Sequence, residues 1–211
     1  MLPILSIETS SELCSVALML NENTFSEINL KQKHIHSQKL ITVVRQILDT
    51  FNMETRNLGS IAVSIGPGSF TGLRIGLTAT KGIAFGAKLP IIPVPTFEAI
   101  AYYISKFLPD STKYAIANTA NMEEVYFGRF QKRNQMYSIV EQVHLEKKEI
   151  LNDILSKDEL LFGNVLHSTD DYLKANNVAE WAYLFGKDLL TYNYDYMEPF
   201  YLKKFVTRVK L

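Results

Sequence analysis

The chain has 211 residues, 22 Lys and Arg against 22 Asp and Glu, and 47% apolar residues, enough for one sizeable core or two small ones packed together. A sequence pI near 6.9, with no long Lys or Arg run, excludes the charge footprint of a protein that holds a nucleic-acid backbone alone. The single cysteine, Cys14, excludes an internal disulfide. The opening MLPILSIETSS has no basic segment leading into a long apolar run, and no apolar stretch approaches the roughly 20 residues of a bilayer helix, so the expectation is a cytoplasmic chain without a membrane span.

The chain opens with three runs of strand composition, Ile4 to Thr9, Cys14 to Leu20 and Thr24 to Leu30, separated by polar turns such as Asn21-Glu22-Asn23, which predicts a meander. From Ser37 to Phe51 the apolar residues Leu40, Val44, Ile47, Leu48 and Phe51 recur at helical spacing, with Ser37 placed to cap the first turn. Ser60 to Ile65 reads as a buried strand that enters a glycine-rich turn. A second helix ending near Lys88 and a strand from Ile91 to Val94 follow. Thr96 then stands as the cap of a third helix, whose Phe97, Ile100, Ala101, Ile104 and Phe107 share one face before Pro109.

The same order starts again in the second half. Tyr114 to Ala120, Val125 to Phe130 and Met136 to His144 read as strands, Lys147 to Leu155 as a helix, and Leu160 to Gly163 as a short strand. A last helix carries Val178, Trp181, Ala182, Phe185 and Leu189. The expectation is an α/β protein of two related βββαβα halves, residues 1–108 and a smaller 109–211, divided at the turn-rich Pro109, Asp110 and Ser111. Actin-like and ribonuclease-H-like ATPase folds have this plan, with nucleotide between the halves, but a fold alone does not establish that activity.

The most informative stretch is Gly66-Pro67-Gly68-Ser69-Phe70-Thr71-Gly72-Leu73-Arg74-Ile75-Gly76, between a buried strand and a helix. Backbone amides at such a junction could hold an anion. The spacing nevertheless fails both standard nucleotide patterns: Leu73 stands where a P-loop needs Gly-Lys, and Thr71 where a dinucleotide fingerprint needs Gly. The competing use is packing, with Gly72, Gly76 and Ala79 as a small-residue stripe suited to close helix contact, and the spacing favours it.

That motif resembles the signature of the TsaB (YeaZ) family nearly letter for letter. The resemblance continues through Ile7-Glu8-Thr9-Ser10, His36-Ser37-Gln38-Lys39-Leu40, Pro90 to Thr96, Glu124-Val125-Tyr126-Phe127-Gly128 and Glu198 to Lys203. It implies an actin-like fold in a non-catalytic scaffold. Its partner would be a TsaD-like catalytic subunit in making the threonylcarbamoyl modification of the adenosine beside tRNA anticodons. A TsaE-like ATPase would join the pair, and tRNA would be reached indirectly through the assembly. The implied pairing surface lies on the first-half helices, and the contacts carried over are Ser37, Leu40, Ile41, Val44, Leu73, Arg74 and Leu77. No cofactor is assigned to the chain alone, although ATP at a heteromeric interface is compatible with the resemblance.

Two further readings stand beside it. One is an actin-like ATPase binding ATP in the cleft, with Thr9, Ser10 and the amides of Gly66 to Ser69 near phosphates and Glu8 or another carboxylate holding magnesium. The other is a homodimer when the chain is alone, through the small-residue helix face. The sequence departs from the family pattern at Glu8, where Asp is usual, and at Asn118, Asn121 and Glu123, where Asp, Arg and Gly are common at the strand turn.

The remaining candidates have plainer uses. His34 and His36 lack the further ligands a metal site requires, and His144 and His167 lie far off. For a peptidase there is neither H-E-x-x-H nor a G-x-S-x-G elbow. Ser69 has no histidine that the sequence links to it, and Cys14 sits in an apolar strand. Tyr192, Tyr194, Tyr196 and Tyr201, with Lys203, Lys204, Arg208 and Lys210 after them, allow tRNA stacking or simple surface packing.

Overall fold

Strand β1 (Ile4–Glu8) is buried on both faces, as its apolar run requires, and organises the first sheet. It pairs antiparallel with β2 (Leu13–Asn21), which turns into β3 (Thr24–Lys31), and parallel with β4 (Ser60–Gly66), beside which lies β5 (Ile91–Pro95). The structure is a computed structural model that describes residues 1–32, 35–166 and 173–202. The first sheet is ordered β3-β2-β1-β4-β5 and the second, of β6 (Lys113–Thr119), β7 (Glu124–Arg133), β8 (Met136–Lys147) and β9 (Leu160–Phe162), is ordered β8-β7-β6-β9. In both, the meander's first strand is antiparallel to its second and parallel to the fourth strand in sequence. The shared order makes the two sheets versions of one βββαβα plan, the actin-like, ribonuclease-H-like architecture.

Alternation along the strands sends side chains into different layers. Leu5, Ile7, Val16, Leu18 and Val63 meet α1 (Ile35–Thr50) and α2 (Phe70–Ala87) on the outer face of the first sheet. Ile4, Met19, Ala62, Ile92 and Val94 face the opposite way, onto α3 (Thr96–Ser105) and α5 (Ala175–Phe185), which also receive Tyr114, Ile116 and Phe130 of the second sheet. A smaller cluster of Ala115, Ala117, Val125 and Phe127 closes on α4 (Leu151–Ile154). Among the described residues no helix is long and apolar enough to cross a membrane.

The middle layer interlocks the two sheets. Helix α5 packs on β1 and β2, far from it in sequence, where Ala175 N donates to Ser15 Oγ at 2.8 Å and Ser6 Oγ donates to Ala175 O at 2.7 Å. Trp181 Nε1 donates to Tyr137 Oη at 3.0 Å, and Tyr137 donates in turn to Glu98 Oε2 at 2.6 Å, joining α5, β8 and α3.

Four local expectations need correction. Helix α1 begins at Ile35, because burial of that side chain draws the first turn into the core, so Ser37 lies inside the helix and does not cap it. Thr96 is the first residue of α3, and its hydroxyl accepts from Gly66 N at 3.0 Å across to β4; Pro95 holds the cap position. The helix expected over Lys147 to Leu155 is a 3-10 turn followed by the four residues of α4, since β8 stays paired with β7 through Lys147 opposite Glu124. Helix α5 ends at Phe185, before Leu189: a Cβ at Gly186 would lie 2.5 Å from Ile92 Cγ2, and the chain turns there against β5.

Candidate functional site

The glycine-rich turn joins β4 to α2 and lies against the exit of β1. Gly66 has φ +110°, and a Cβ there would meet the Phe200 carbonyl at 2.8 Å, so both its conformation and its surroundings call for glycine. A Cβ on Gly68 would lie 2.6 Å from the Ser10 carbonyl. Ser69 caps α2, its Oγ accepting from Gly72 N at 3.2 Å, and its own N–H donates to Ser10 O at 2.7 Å. Along α2 a Cβ at Gly72 would be 2.0 Å from Thr9 O, and one at Gly76 would be 2.2 Å from Thr9 Oγ1. Close approach is therefore the use of these glycines, but the neighbour is the end of β1 rather than another helix. The Thr9 hydroxyl donates to Gly72 O at 2.8 Å and completes the seam.

These contacts bear directly on anion binding. The amides of Gly66, Ser69 and Gly72 are committed within the chain, to Thr96, Ser10 and Ser69. In front of the turn, between the sheets, lies a cavity of about 400 Å³, walled by Ser10, Ser11, Glu12, Pro67 and Gly68 on one side and by Asn118, Tyr126 and Asn164 on the other. Of the described side chains on its wall Glu12 alone is charged, so a polyphosphate would meet an acid there and no base. Ser10 lines this cavity; Thr9 is fully buried under α2. The turn residues that depart from the family pattern close on themselves: Asn121 Oδ1 accepts from Glu123 N at 2.9 Å and Glu124 N at 3.0 Å, while Asn118 Oδ1 accepts from Asn164 N at 3.0 Å.

Glu8 lies behind the cavity wall with no exposed surface. One carboxylate oxygen accepts from Ser10 N and the other from the Ser64 hydroxyl. Burial pushes its pKa up to about 7, and the Ser10 and Ser64 hydrogen bonds offset part of that rise. Both oxygens are held by the protein, so Glu8 buttresses the turn and does not face the cleft.

The pairing residues carried over from the family divide by burial. Leu40, Val44, Leu73 and Leu77 are core side chains, and a charge placed at Leu73 or Leu77 would be a charge in the interior. Ser37, Ile41 and Arg74 face outward. Between α1 and α2 runs a groove of about 630 Å³ lined by Ile41, Arg45, Met53, Arg56, Gly82 and Gly86, among others. Ile41 is 58% exposed and Phe85, on the same helix as the glycines, 75%. A Cβ at Gly82 or Gly86 would meet nothing within 4 Å. Sequence reasoning missed Gly82, Phe85 and Gly86, although two glycines four apart around an aromatic were there to be read as one helix face.

The histidines and tail tyrosines are placed only in part. His34, His167 and residues 203–211 lie outside the described residues. His36 Nε2 contacts Ser11 O at 2.9 Å, and His36 shares a cavity with Ser69, a proximity the sequence did not reveal. No hydrogen bond joins the two, since His36 Nδ1 is without a partner. His144 lies 3.8 Å from Glu141 and 3.6 Å from Glu146 on the second sheet, and among the described residues no three ligating side chains gather into a metal site. Tyr194 and Tyr201 pack on the molecule, Tyr194 Oη donating to Leu89 O at 2.6 Å, while Tyr192 and Tyr196 are exposed.

Comparison with known proteins adds a third line. The family model described as TsaD, tRNA N6-adenosine threonylcarbamoyltransferase, matches residues 23–178. The tRNA threonylcarbamoyladenosine biosynthesis protein TsaB of Escherichia coli K12 is 34% identical over 151 residues, 71% of this chain and 64% of the relative. Its namesake in Haemophilus influenzae is 34% identical over 128 residues, 61% of this chain and 53% of the relative. The chain thus spans between about half and two thirds of these relatives' lengths. A Pseudomonas aeruginosa crystal structure, described as an uncharacterized protein with similarity to peptidase YeaZ, superposes with a TM-score of 0.77 at 26% identity, covering 95% of this chain and 99% of the other. The P. aeruginosa structure called YeaZ gives 0.75, likewise at 26% identity, over 94% and 99% of the two chains.

Proposed function

The chain belongs to the TsaB (YeaZ) family, and from that premise we propose that it is a cytoplasmic, non-catalytic pairing subunit in the synthesis of threonylcarbamoyladenosine in tRNA. Its partner in this reading is a TsaD-like catalytic chain, docked on the α1–α2 face. A TsaE-like ATPase joins the pair, tRNA is reached through the assembly, and the chain self-associates by the same face when alone. The relatives' names support the pathway, and the open groove supports the mode.

The observation that carries the reading is the α1–α2 groove. Two uncovered glycines leave room for another backbone to come close, and exposed Ile41 offers apolar surface across the groove from them. Arg45, Arg56, Asp49 and Glu54 supply charge of both signs at the margin, where it sets register more than affinity. Leu40, Val44, Leu73 and Leu77 back this surface from inside.

Light scattering after size exclusion, with the chain alone and mixed with the TsaD-like protein of the same genome, tests the proposal. It is run beside an assay of ATP hydrolysis by the chain alone. A heteromer without intrinsic hydrolysis is expected, and Ile41→Asp should abolish it by forcing a charge into the contact. Magnesium-dependent hydrolysis with no heteromer would return the cleft to the ATPase reading.

A further inference from the structure

The surface around Arg74 is already in use by the chain itself. The C-terminal segment runs back along α2 from its end toward its start. Tyr194 is anchored at Leu89, Met197 packs against the core of the first sheet, and Tyr201 reaches the first turn of the helix. There Arg74 Nε donates to Tyr201 Oη at 2.9 Å, the guanidinium carbon lies 3.8 Å from the Phe70 ring centre, and the Phe70 and Tyr201 rings are 5.1 Å apart. Between these ends Phe200 N donates to Ile65 O at 2.7 Å, and the Phe200 carbonyl occupies the space left by the missing side chain of Gly66.

The two anchors differ in strength. Tyr194 and Met197 are set into the apolar cluster, whereas among the described residues the segment beyond Pro199 is held by the Phe200 backbone hydrogen bond, the exposed Arg74–Tyr201 hydrogen bond and the contacts of the Tyr201 ring with Phe70 and the Arg74 guanidinium, with Phe200 itself 49% exposed. These outer contacts lack the buried apolar packing that holds Tyr194 and Met197. The outer attachment can therefore open while the inner one stays closed.

We propose that residues 198–202 form a self-held clasp over the N-terminal end of α2, which a docking TsaD-like chain must lift from Arg74 before the α1–α2 face can be fully engaged. This rests on the pairing reading above. The clasp reduces apparent affinity to the fraction of molecules in which Arg74 is released from Tyr201, so the chain pairs less tightly than its open state would. It also links the pairing face to the glycine-rich turn, because Phe200 contacts both Ile65 and Gly66.

The test uses the full chain as wild type, Tyr201→Ala, Tyr201→Phe and Ile41→Asp. Hydrogen exchange at the Phe200 amide and affinity for the TsaD-like protein by calorimetry are the readouts. Tyr201→Ala should speed exchange at Phe200 and tighten pairing by about tenfold, the gain expected when a competent fraction of roughly one tenth becomes nearly all. Tyr201→Phe, which keeps the ring, should fall between. Unchanged exchange in Tyr201→Ala, or pairing that weakens, overturns the clasp; loss of pairing in Ile41→Asp alongside either result leaves the docking face standing. Pairing that survives Ile41→Asp removes the docking face and the clasp's role with it.

Discussion

Among the described residues Glu8 is the only acid with no exposed surface, and its neighbours explain how the fold tolerates it. Ser10 N and the Ser64 hydroxyl donate to it, yet burial outweighs them and raises its pKa from 4.5 to about 7. The folded value lies above the unfolded one, so the folded state binds the proton more tightly. Glu8 is therefore least costly below about pH 4.5, and stability falls as pH rises from there to about 7, by roughly 3 kcal/mol in all. Glu8→Gln removes the charge while keeping an acceptor for Ser10 N. We expect the variant to match wild type near pH 4 and to exceed it by about 1–3 kcal/mol at pH 8. Urea midpoints at the two pH values check this, and parallel pH dependence in both proteins would refute it. That the residue mattered was readable as a departure from Asp; that it faces inward was not, because burial depends on Ser64, which is far from it in sequence. The same blindness affected the pairing residues: the family resemblance carried over Leu40 and Val44 on one helix and Leu73 and Leu77 on the next, but could not say that these four side chains face the core.

Helix α2 carries two glycine pairs with opposite roles. Gly72 and Gly76 let the helix lie against Thr9, and their replacement by Ala would drive a methyl to within about van der Waals overlap of backbone or a held hydroxyl. Each substitution should cost about 1–3 kcal/mol, as overpacking does when the neighbour cannot yield. Gly82 faces open space within the same helix, and Gly82→Ala should gain about 0.5–1 kcal/mol in the unpaired chain, because Ala loses less backbone freedom. Thermal or urea unfolding of the single variants decides the matter, and equal effects at positions 76 and 82 would show that helix propensity, not contact with Thr9, governs this element. The elements themselves were largely legible. Strands β1, β2 and β4 follow from apolar runs that are buried almost throughout, and α1 from its period. The helix after β8 was not, because continued cross-strand pairing of Lys147 with Glu124 overrode the local pattern there.

At the scale of the whole molecule, the sequence suggests a division after residue 108, and we propose that this line separates two sheets within one folding unit. The first sheet needs α5 for its inner face. Without it Ile4, Met19, Ala62, Ile92 and Val94 lose part of their cover, and the hydroxyls of Ser6 and Ser15 lose the backbone partners that Ala175 provides. Buried apolar area supplies about 25 cal/mol per Å², so uncovering that face leaves the isolated half at a deficit comparable to the whole stability of a small domain. Residues 1–108 expressed alone should therefore give no cooperative unfolding transition and should bind a hydrophobic dye. Adding residues 109–211 in trans should restore a transition as the two pieces dock through α5. A fragment that unfolds cooperatively by itself would mean that α5 is an accessory layer and that the two halves are independent domains.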